Sequence, residues 1–187
     1  MSDSLHRRGQ AIEDLFFAES DRKLLAEIRH EIDKVASRAV LEAATGISDI
    51  DVLDALSESG IKPESLASVA LIPLVALAWC DNKLEDNEKT AILKAADEAG
   101  IRTGGASYNM LEIWFSQKPD QELFDAWKSY IGSLKSSLDE VSLKQLKNSV
   151  VSRTEEVAKA AGGYLRMINK ISDSERRVID EVSKAFE

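Results

Sequence analysis

One cysteine and two histidines among 187 residues leave this chain little of the material from which reactive centres are made. A single thiol excludes an intrachain disulfide framework and a cysteine-rich zinc site. His6 and His30 alone offer little toward an imidazole-based metal or acid–base centre. Three prolines and nine glycines are too few for turn-rich all-β architectures. Positive charge is also scarce. With 24 Lys and Arg against 33 Asp and Glu the formal charge is -9, which repels a phosphate backbone, so no nucleic-acid partner is expected. Long apolar runs are missing too. Leu66 to Cys80 is the most apolar stretch, interrupted by Ser68 and Pro73. At about 15 residues against the roughly 20 that cross a bilayer, it reads as a central core helix and not as a membrane span. The first 20 residues carry charge throughout and hold no signal-peptide core. The expectation is a cytoplasmic protein with Cys80 a reduced, buried small hydrophobe.

What is present is helical periodicity. The chain is 44% hydrophobic, enough for one core, and its length suits one all-helical domain over residues 1–187. Residues 1–45 form an N-terminal helical extension. There Leu24, Ile28, Ile32, Val35, Ala39 and Ala43 make one stripe that starts at the cap Ser20 and ends before Gly46. Ahead of it Leu5, Ile12, Leu15 and Phe16 suggest a separate helix. This segment could dock its Leu15, Phe16 and Phe17 on the bundle, mediate self-association, or hold a partner in a groove. Ser48 can cap a short helix bearing Val52, Leu53 and Leu56, stopped by Gly60. The acidic run Asp49, Asp51, Asp54 there reads as complementing the helix dipole. Pro63 opens the apolar segment, and Pro73 inside it predicts a kink or the meeting of two short helices.

Further helices are expected at Glu85 to Ala99, around Tyr108, Leu111, Trp114 and Phe115, and across Leu123, Trp127, Ile131 and Leu134. A long one begins near Leu138 and carries Leu143, Leu146, Val150, Val157, Ala161 and Leu165. The last starts at Ser172, with Val178, Ile179, Val182 and Phe186 facing inward. No segment alternates with period two, so the expected class is all-α, a compact bundle of seven to nine helices.

One segment recurs. Shifted by 87 residues, Asn82–Leu93 aligns without a gap on Asn169–Asp180, with five of twelve positions identical. Each copy follows an apolar helix and opens an amphipathic one. In the second copy Ser172 and Glu175 have capping-box spacing. In the first, Glu85 takes the cap position, and Glu85, Asp86 and Glu88 set negative charge at the positive end of a helix. Leu84 and Ile171 are expected to tuck into the core ahead of each cap.

The run Trp79-Cys80-Asp81-Asn82-Lys83-Leu84 with Glu88 beyond it resembles the tellurite-resistance TerB-like family, as does Ala160–Leu165 followed by Lys170-Ile171-Ser172 and Glu175. The resemblance covers residues 60–187. It implies two diverged helix–loop–helix units and a divalent-cation site, calcium or magnesium, built from loop carboxylates. Carried onto this chain, the metal candidates are Asp81, Glu85 and Glu88. Asn82 stands where the family pattern has glycine, and asparagine also adopts a left-handed turn. Ile168 stands where the second copy would need its aspartate. Oxygen donors suit such cations, but the spacing is not that of an EF-hand, and capping with solvated charge explains the same residues. Gly104-Gly105 lacks phosphate-loop spacing, and no nucleophile, base and orienting group can be assembled. The functional expectation is therefore a non-catalytic helical binding protein with a cation at the Asp81–Glu88 corner. Its alternative is a metal-free interaction or regulatory module that meets a protein partner or associates with itself.

Overall fold

The computed structural model describes the backbone of residues 2–161 and 171–187 and the side chains of residues 22, 23, 26–160 and 171–187. Within these residues the chain is all-helical. In order come α1 (Ser2–Thr45), α2 (Ile50–Glu58), a 3-10 stretch (Pro63–Leu71), α3 (Ile72–Ala78), α4 (Asp86–Glu98), α5 (Ala106–Ser116), α6 (Gln121–Ser137), α7 (Glu140–Ala161) and α8 (Asp173–Lys184).

Local chemistry sets most boundaries. Gly60 and Gly100 end their helices at φ +83° and +76°, a region that costs a side chain about 1 kcal/mol or more. Pro73 falls in the first turn of α3, where its missing N–H would have had no helical partner anyway. An α-helix cannot continue backward through that ring. The preceding residues therefore wind as a 3-10 stretch whose buried Ser68 hydroxyl donates to the Ser65 carbonyl at 2.7 Å. Of the two outcomes expected at Pro73, two short elements meeting is the one found.

α3 is the hub. It packs on α6, α7 and α8, while α4 also packs on α7, α7 on α8, α2 on α6, and α5 on the 3-10 stretch. Leu71, Leu74 and Leu77 are fully buried, each side chain contributing about 2 kcal/mol of hydrophobic stabilisation. Around them lie Ile92 from α4, Leu111 and Trp114 from α5, Ile131 from α6 and Val157 from α7. Trp127 stacks on Phe124 at 5.6 Å and meets the edge of Phe186 at 6.1 Å, which pins the C-terminal end to α6. Trp79 donates its indole N–H to the Trp114 carbonyl at 2.8 Å, and Trp79, Trp114 and Trp127 pack in one core. No single helix is long and apolar enough to cross a membrane among the described residues.

Several boundaries and faces differ from the sequence reading. α1 is one helix with no break at Ser20. Its stripe Ile28, Ile32, Val35, Ala39 and Ala43 is exposed, and the side turned to the bundle is Lys34, Ser37, Arg38, Leu41 and Thr45. Asp49, not Ser48, caps α2, accepting from the Asp51 and Val52 N–H groups, while Ser48 donates to Glu42. α7 begins at Glu140, close to the Leu138 expected, with Asp139 accepting from the Val141 and Ser142 N–H groups. Gly162-Gly163, Leu165, Ile168, Asn169 and Lys170, together with the side chains of Leu5, His6, Ile12, Leu15, Phe16, Phe17, Leu24 and Ala161, lie outside what is described.

Candidate functional site

The corner between α3 and α4 is built from backbone turns. Asp81 accepts from the Lys83 N–H at 2.9 Å, closing a local turn, and Asn82 between them holds φ +64°. Asn82 is the one non-glycine residue in that region among the described residues. Leu84 then turns inward against the core, and Glu85 caps α4. Glu88 reaches back to accept the Glu85 N–H at 2.8 Å, the return arm of a capping box. That reach takes Glu88 out of water, leaving it 4% exposed. Burial first, then the charges of Glu85, Asp81 and Glu175, push its carboxyl up to about 7 against the opposing pull of the Glu85 N–H.

The corner at the start of α8 repeats this geometry. Ser172 accepts from the Glu175 N–H at 3.2 Å, Glu175 accepts from the Ser172 N–H at 2.5 Å, and Glu175 is buried. Ile171 packs against the core as Leu84 does. The two corners lie close enough for the Glu175 charge to act on both Glu88 and Cys80. Burial raises the half-buried Cys80 thiol, with neighbouring Ser174 pulling the other way, so the protonated form is favoured.

Asp81, Glu85 and Glu88 thus share one corner without forming one ligand set. Asp81 is engaged with the Lys83 N–H, Glu85 lies 4.0 Å from the Lys83 ammonium, and Glu88 is turned into the helix start. Among the described residues no three His, Cys, Asp or Glu side chains gather to hold a metal ion. The carboxylates as placed do not fit the divalent cation that the resemblance implies.

A second feature lies on α1. Among the described residues, the bundle holds this helix through Lys34, Arg38 and Leu41. Arg38 donates two hydrogen bonds to Asp54 at 2.5 and 2.6 Å, and Lys34 bridges Asp54 and Glu58 at 3.1 Å each. The Arg38 fork, helped by Lys34 and opposed by burial, lowers the Asp54 carboxyl to about 2. Beside this clamp Leu41 is fully buried. So Asp54, which reads in sequence as a dipole complement, is the anchor of α1. Nothing in the sequence points to this pairing, because its partners lie sixteen positions apart on different helices. About a third of a turn round the axis from the clamped side, Ile28, Ile32 and Val35 are 47%, 61% and 56% exposed.

Compared with protein-family models, with curated proteins and with solved structures, the chain finds no match.

Proposed function

We propose that this chain is a TerB-like helical protein that acts by binding and not by catalysis, with the free face of α1 as its contact surface. The observation that carries this reading is the exposure of Ile28, Ile32 and Val35 on a helix clamped from another side. Single exposed apolar residues are ordinary on a folded protein. Three large β-branched ones in successive turns of one helix face make a patch of the kind that marks a binding surface. The bundle serves as a rigid holder, its corner carboxylates occupied in capping helices and its one cysteine protonated by burial.

Site-specific photocrosslinking in growing cells tests this. With Ile32 replaced by a photoreactive phenylalanine analogue, irradiation should give a covalent adduct heavier than the chain alone. The same analogue at exposed Ile113, on α5, should not. Equal yields at the two positions, or no adduct at Ile32, would overturn the assignment. The competing reading, a divalent cation at Asp81, Glu85 and Glu88, requires heat and a raised melting temperature on titration with calcium or magnesium. The capped geometry predicts neither at millimolar metal.

A further inference from the structure

We propose that the occupant of the α1 face is the α1 helix of a second copy of this chain, lying parallel to the first. This rests on the reading of α1 as a contact surface and names its partner.

Spacing supplies the first argument. Ile28, Ile32, Val35 and Ala39 follow one another at four, three and four residues. That spacing keeps the four on one side of α1 over successive turns, a strip along which a second helix can lie. The seam lies on a different side of α1 from the Lys34–Leu41 clamp, about a third of a turn round the axis.

Charge supplies the second argument, and it fixes the direction. Counting about 100° per residue, exposed Glu27, Glu31 and Glu42 border the seam on one side, where Arg38 is already bound to Asp54, and exposed Arg22 and Arg29 border it on the other, with Asp33 farther round. When two identical helices meet face to face in parallel, the acidic border of each lies along the basic border of its mate. Antiparallel pairing sets acidic beside acidic and basic beside basic, which is repulsive. The borders thus favour the parallel orientation. A parallel pair also brings both bundles to the same end, one on each outer side.

Sedimentation of the purified full chain at about 100 µM tests the pairing. The expected mass is twice the 20.6 kDa of one chain. Ile32→Asp should weaken association about tenfold or more, by placing a charge in the seam, while the helical content stays that of the wild type because Ile32 is exposed. Direction is read separately. In a Cys80→Ala background, Ala39→Cys should give a disulfide-linked dimer on mild oxidation, since parallel pairing brings the two copies of position 39 together.

A mass of one chain, or an Ile32→Asp variant that associates as the wild type does, would overturn the pairing. Dimers without the position 39 crosslink would overturn the parallel arrangement. The photocrosslink at Ile32 separates this proposal from the reading beneath it. An adduct to another protein would leave the surface and remove the second copy, whereas no adduct would remove both.

Discussion

Replacing Glu88 by glutamine isolates the energetic consequence of burying a carboxyl at a helix start. The side chain is 4% exposed, and its carboxyl titrates near 7 in the folded chain against an ordinary value of 4.5. A carboxyl with a raised folded pKa binds its proton more tightly when folded than when unfolded. Between 4.5 and about 7, folding therefore takes up a proton, and stability falls as pH rises through that window and levels off beyond it. The displacement corresponds to about 3 kcal/mol. Glutamine keeps an oxygen that can accept the Glu85 N–H, so the cap survives while the buried charge does not. Urea unfolding followed by tryptophan fluorescence at a series of pH values measures the difference. Near pH 4.5 wild type and Glu88→Gln should agree to within about 1 kcal/mol. At about pH 8 the variant should be the more stable by about 3 kcal/mol, because only the wild type must ionise a buried group. A gap that does not change with pH, or a variant less stable at high pH, would refute the account. The first outcome would mean that Glu88 is not desolvated as described, and the second that its charge stabilises the corner.

Trp127→Ala should cost about 3–5 kcal/mol in chemical denaturation, because the side chain is 1% exposed and loses both Phe124 and Phe186. Asp54→Asn should weaken the α1 anchor by about 1 kcal/mol at neutral pH. Because the folded Asp54 carboxyl sits lowered to about 2 from 3.8, that contribution is present above about pH 4 and fades as pH falls toward 2. Hydrogen exchange along α1 at the two pH values reads it out. Asn82→Ala should destabilise by about 1 kcal/mol through its φ of +64°, and thermal melts should show Asn82→Gly recovering most of that loss.

Capping chemistry was readable along the chain because it is local. Ser172 and Glu175 are three residues apart, and that spacing alone brings hydroxyl and carboxylate to the two backbone N–H groups they satisfy. Asn82 and Gly60 announce left-handed turns for the same reason, and Pro73 announces a break in helical winding. The burial of Glu88 was hidden. An acidic residue in a first helical turn looks solvated until the packing that covers it is known.

The free face of α1 shows where one-dimensional reading stops. Periodicity says that Ile28, Ile32, Val35 and Ala39 share a side of a helix, but not what that side meets. The face turned to the bundle was chosen by an ion pair between Arg38 and Asp54 and by one buried leucine, Leu41. Helix starts, stops and class follow from groups within four residues of one another, so the amino-acid order determined them. Which faces are covered, which carboxylates lose water and which corners adjoin depend on contacts between distant segments, and only the packing of the helices decided those.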